Sequence, residues 1–176
     1  MVAGQPSSSR NDEKWWRAGF SIFSVILSPK QISDRLGLEP SRIHEKGQPR
    51  GARRKDGSIS PSVVWKDYAW HLNCPLKRDH DLREHIIWLL DVLEPRAEIL
   101  RSLVPDCTLI RFFCGFSSTN GQGGFGLDPV TLGRISRLGF NLILDLYPPS
   151  NADKNYEEAE GNGLLDSSSN QHDRLQ

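Results

Sequence analysis

Three stretches of this chain hold side chains capable of chemistry at spacings that known sites use. In the first, Gly121, Gly123 and Gly126 fall at G-x-G-x-x-G spacing between a strand-like run and a helix-like one, with Asp145 coming 24 residues after Gly121. In a dinucleotide-binding fold such glycines let the backbone approach a pyrophosphate, and the downstream acid takes a ribose hydroxyl. Here four polar residues (117–120) separate the strand from the first glycine, where the fingerprint needs a tight turn directly off the strand. Asp128 puts negative charge where a phosphate would sit, and Pro129 removes one of the N–H donors. The segment reads as a flexible glycine loop capped by Asp128.

The second stretch is His80-Asp81-Leu82-Arg83-Glu84-His85. It approaches the inverted zinc-protease spacing, with Asp81 where the first histidine would stand. Acids favour the positive end of a helix, so the segment reads as the solvated start of an amphipathic helix, and no metal is assigned. His71 and Cys74 form no nucleophile pair, because strand alternation places His71 opposite Trp70 and Leu72, as a surface histidine at a strand end. No catalytic residue and no cofactor is assigned.

The third stretch, 42–55, is electrostatic. Arg42, Lys46, Arg50, Arg53, Arg54 and Lys55 stand against one acid, Glu45, and Gly47, Pro49, Gly51 and Gly57 make a mobile loop of it. A basic loop of this kind grips an anion or an acidic partner, with Trp65 close by as a stacking partner. These seven residues are the binding candidates.

Hydrophobic periodicity sets the secondary structure around these stretches. Residues 20–27 and 109–116 read as strands, the first apolar on both faces and hence buried. Each precedes the same punctuation: Ser28-Pro29 and Gly37 around one helix, Asp128-Pro129 and Gly139 around another. This predicts a β–α unit that recurs. A strand is expected over 63–72, with Tyr68, Trp70 and Leu72 on one face. Leu82, Ile86, Leu89, Leu90 and Leu93 form the apolar stripe of a helix over 79–103, broken near Glu94 by Pro95. The alternation of 140–147 predicts a last strand on a sheet with one solvated face, Leu142 and Leu144 being buried under the helix that carries Leu89 and Leu93. The order is that of an α+β domain, a single sheet of four or five strands with helices packed on it.

The runs LGLEPSRIHEKGQPR, WHLN, LREHIIWLLDVLEPRAEILRSL and GGFGLDPVTLGRISRLGFNLILDLY carry a similarity that extends over about Ala18 to Tyr147, essentially the whole folded part. With the Lys46-Gly47 pair and the closing L-x-L-D-x-Y, the sequence resembles the bacterial family called domain of unknown function 4279. That resemblance implies an α+β fold in a bacterial protein. It carries over no site residues.

With 176 residues, 22 basic against 22 acidic side chains and net charge zero, the chain is one domain's length and lacks the basic excess of a nucleic-acid-coating protein. Residues 1–14 read as a disordered arm, 15–148 as the domain, and 149–176 as a disordered acidic tail without apolar rhythm. No apolar run is long enough to span a membrane and no secretory signal is seen. The three cysteines (Cys74, Cys107, Cys114) read as free, buried thiols of a reducing compartment, hence a cytoplasmic setting. The functional reading that survives is a small protein acting by binding another protein, without catalysis. Nucleic-acid or nucleotide binding through 42–55 is the alternative, and an enzyme using the 121–126 loop is a third.

Overall fold

The computed structural model describes residues 14–50, 63–118 and 123–147. The expected arm and tail lie outside them, except that Lys14 already opens a strand.

One five-stranded sheet organises the chain. Its strands are β1 (Lys14–Ser24), β2 (Arg42–His44), β3 (Tyr68–Asn73), β4 (Leu109–Ser118) and β5 (Asn141–Tyr147), in spatial order β2-β3-β1-β4-β5. All neighbours are antiparallel except β4 and β5, which run parallel and are joined by a helix. The helices are α1 (Pro29–Leu36), α2 (Leu82–Leu93), α3 (Ala97–Leu103) and α4 (Pro129–Leu138), a 3-10 turn linking α2 to α3 at Glu94–Arg96. The α+β expectation holds, and Pro95 breaks the long helix where proline must.

The helix termini form as their residues dictate. Ser28 and Asp81 each close a capping box, with Gln31 and Glu84 respectively. Gly37 and Gly139 end α1 and α4 at φ 62° and 79°, left-handed values that side-chain-bearing residues reach only at a cost. The two β–α segments therefore share their caps but differ in the connection beyond them. β4–α4 closes a parallel crossover onto β5, whereas β1–α1 leads into the β2/β3 pair, and β3 returns antiparallel to β1.

All helices contribute to one core on one face of the sheet. Phe20, Ile22, Trp70 and Phe112 from the strands meet Ile32, Leu89, Leu93, Leu100 and Leu138 from α1, α2, α3 and α4. The indole of Trp70 donates to Ser33 Oγ on α1, 3.0 Å, so this buried polar tip is satisfied. Arg134 on α4 reaches Asp91 and Glu94 at 2.6 and 2.7 Å, tying α4 to the end of α2.

Several sequence expectations give way here. The first strand ends at Ser24, leaving Ile26 exposed beyond it; residues 18–22 are buried on both faces as expected, but only the side of Ala18, Phe20 and Ile22 belongs to the hydrophobic core. The strand expected over 63–72 begins at Tyr68, with a bridge between Pro49 and Val64 before it. Arg42–His44, read as mobile loop, is a strand, and the pairing continues: Arg50 N–H donates to the Val63 carbonyl (2.8 Å) and Trp65 N–H to that of Gln48 (2.9 Å). Leu142 packs against the core, but Leu144 is 46% exposed and Leu146 68%. Both point to the helix-bearing side, yet β5 is the edge strand, and the helical layer ends before reaching them. His85, expected at a solvated helix start, is buried, whereas His80 and Glu84 pair on the surface at 3.1 Å.

Candidate functional site

Among the described residues, no helix packs on the opposite face of the sheet. Alternation along the strands sends a second set of side chains there: Arg17, Gly19, Ser21 and Phe23 from β1, His71 and Asn73 from β3, Arg111 and Phe113 from β4. With Arg42, His44, Arg50 and Trp65 on one side and Arg78 on the other, they line a recess of about 660 Å3. That lies within the roughly 300–1,000 Å3 typical of ligand sites. Five arginines line it, and among the described residues no aspartate or glutamate does.

The arginines are held against aromatic rings. Arg17 lies opposite Gly115 of β4, where a Cβ would come within 2.8 Å of its Nε; glycine is the residue that lets the side chain lie across the strand. Its guanidinium stands 5.2–5.5 Å from the rings of Tyr147, Phe113 and Trp15 and donates to the Tyr147 hydroxyl. Arg111 packs over Phe23 at 5.4 Å, and Arg78 over Trp15 at 5.1 Å. The Nε groups of both Arg17 and Arg111 are buried without a hydrogen-bond partner. A buried unpaired donor on a cation is costly.

Two histidines sit among these cations. His71 Nδ1 and Ser21 Oγ are 2.9 Å apart, and His44 meets His71 edge-to-face at 5.4 Å. Burial first, then His44, Arg42 and Arg111, depress His71 to about 4. Burial, Arg42 and Arg50 lower His44 in the same way. At neutral pH His71 is thus an uncharged, weak base, poorly matched to activating Ser21 as a nucleophile.

Of the residues nominated from sequence, Arg42, Arg50 and Trp65 come together at the recess. Lys46 does not: its ammonium donates to the Val25 carbonyl at 3.2 Å. Arg53, Arg54 and Lys55 lie outside the described residues. Trp65 has another role than the one expected. His44 stacks on it at 4.0 Å and Arg50 lies over it at 4.4 Å, two groups too close to share one face of the ring. Its faces are used to hold recess residues in place. Sequence reading missed Arg17, Arg78, Arg111 and His44, and it placed His71 at the surface, whereas strand pairing leaves that ring half-buried against Ser21. The available signal was a lone arginine or serine at the non-core phase of an otherwise apolar strand.

The other motifs resolve locally. Asp128 accepts from Val130 N–H and Thr131 N–H at 2.9 and 3.0 Å, and from the Thr131 hydroxyl; these bonds, with Arg83 beside it, hold its carboxyl well below the usual range. The first donors of α4 are thereby taken by the chain's own carboxylate. Gly121 lies outside the described residues. No group of three or more His, Cys, Asp or Glu side chains that could hold a metal ion occurs among the described residues. Cys74 and Cys107 are half-buried and Cys114 buried; burial pushes Cys107 up to about 11 and Cys114 to about 12. Among the described residues no helix is long and apolar enough to cross a membrane.

A one-sheet α+β domain with its helices on one face and an arginine-lined recess on the other is the class these features define. Its sequence matches, over residues 14–149, the family described as domain of unknown function (DUF4279), and the chain belongs to that family. No curated protein and no solved structure matches the chain.

Proposed function

We propose that this chain is a binding module, acting without catalysis, whose helix-free sheet face holds an acidic segment of a partner protein. The observation that carries this reading is the recess itself, where five arginines converge with no acid among the described lining residues. Arginine and aromatic side chains together are the composition enriched at protein interfaces and their hot spots. The paired faces of Trp65 leave it ill-suited to stacking a nucleobase, which favours a protein over nucleic acid.

The test is a titration of the full chain with fluorescein-labelled oligoglutamate and, separately, with labelled single-stranded DNA. Oligoglutamate is expected to bind in a salt-sensitive way, and Arg42→Glu with Arg50→Glu, both at the exposed rim, to weaken it by about tenfold or more. Absence of binding, or an affinity indifferent to the double reversal, overturns the reading. Tighter binding of DNA than of oligoglutamate replaces it with the nucleic-acid one.

A further inference from the structure

Within the recess one cross-strand row differs from its surroundings. The strand registers set Arg42 opposite His71, His71 opposite Ser21, and Ser21 opposite Arg111. All four side chains line the recess. Three strand spacings, roughly 14–15 Å, separate the two arginine backbones. The row thus has a guanidinium at each end and a hydroxyl–imidazole pair between them.

That central pair always retains a donor. If His71 carries its proton on Nε2, Ser21 Oγ–H donates to Nδ1 across the 2.9 Å contact and the Nε2–H is left over. If the proton is on Nδ1, it donates to Ser21 and the serine O–H is left over. Either tautomer leaves one neutral donor between two cations. Charge points the same way. His71 is faced by Ser21 and Phe23 from β1, Arg42 and His44 from β2, and Arg111 from β4, with no acid among them. A carboxylate brings one charge and two coplanar oxygens. A phosphoryl group brings close to two charges and three oxygens directed apart, which meets donors arriving from both ends of the row and from its floor.

Resting on the anion-binding reading above, we infer that the group seated on the row Arg42–His71–Ser21–Arg111 is a phosphoryl dianion. Its chemistry is shared by a phosphorylated side chain of a partner and by free phosphate.

The experiment uses the full chain and three probes: an acidic peptide bearing one phosphoserine, the same peptide with glutamate there, and inorganic phosphate. The phosphopeptide is expected to bind about tenfold tighter than the glutamate peptide, the worth of one added charge-assisted hydrogen bond. Replacing both members of the pair, Ser21→Ala with His71→Phe, should bring that ratio close to unity, because either member alone still carries a donor. In the unsubstituted chain, inorganic phosphate should shift the His71 ring resonances at constant pH. A preference for the phosphopeptide assigns the group to a phosphorylated partner. A His71 response to phosphate with equal peptide affinities assigns it to the free anion. A phosphate response with neither peptide bound retains this inference and removes the partner-protein reading. Equal peptide affinities with a silent His71, or a phosphopeptide preference undiminished in the Ser21→Ala, His71→Phe double variant, overturns the inference and leaves the broader reading standing.

Discussion

The two faces of β1 are built from alternate residues of one strand and do opposite work. Ala18, Phe20 and Ile22 are buried beneath the helices, where Phe20 meets Phe112 and Phe140 edge-on at 5.0 and 5.6 Å. Arg17, Ser21 and Phe23, one residue out of phase, line a recess of cations and aromatic rings. Backbone pairing is common to both faces, so the difference lies in side-chain environment alone. The helix-bearing face removes apolar surface from water and carries the fold. The other face keeps unpaired buried donors, an arrangement that adds little to folding and is held in place by the sheet. Stability and the proposed binding are thus separable by residue parity.

The largest effect should come from adjacent residues of β4 that point to opposite faces. Phe112→Ala is expected to cost about 3–5 kcal/mol, as for a fully buried aromatic, whereas Arg111→Ala should change stability by no more than about 1 kcal/mol. Denaturant unfolding of the two variants measures this directly, and equal losses would break the separation of the faces.

A smaller effect should accompany a change of pH. His71 is depressed to about 4 in the folded chain against 6.5 unfolded, so the unfolded state binds more protons between those values. Its contribution to stability is complete above pH 6.5 and declines as pH falls toward 4, by about 1–2 kcal/mol once its partial exposure is allowed for. Burial lowers His44 and His85 in the same direction. Unfolding midpoints of wild type and His71→Gln at pH 7 and 4.5 should show a flatter dependence in the variant; an identical slope would mean that His71 carries its charge as readily folded as unfolded.

The smallest effect should be at the edge strand. Leu144 is on the helix-bearing side of the sheet but half in water, and Leu144→Ala should cost less than about 1 kcal/mol, against about 2–5 for Leu89→Ala in α2. Comparable losses in thermal melts of the two would show that the helix-bearing side buries its residues out to β5.

Much of the fold was legible because it is encoded within a few residues of itself. Ser28, Asp128, Gly37 and Gly139 act on backbone groups no more than one helical turn away, and they mark helix ends where the structure has them, whereas the helix expected from 79 starts at Leu82 behind its Asp81 cap. The stripe Leu82, Ile86, Leu89, Leu90, Leu93 named a buried helix face, and all five are buried. Less was legible where a neighbour distant in sequence decides. Residues 42–50 look like a loop by composition; their strand and bridge arise from partners at 63–71. Leu144 has the alternation of a core residue, and only the strand order puts it at an edge.

The candidate site shows the same division. Fold class, helix limits, family and a cluster of positive charge after Leu38 could all be read from the sequence, because propensity, capping and composition are local properties. Which cations act together was settled by the tertiary structure. It joined Arg42 and Arg50 to Arg17, Arg78 and Arg111, set Ser21 against His71 across 50 positions of chain, and took Lys46 away to a backbone carbonyl. The cause is strand register: a recess spanning four strands is specified by pairings between segments far apart in sequence, and no single stretch of the chain contains them.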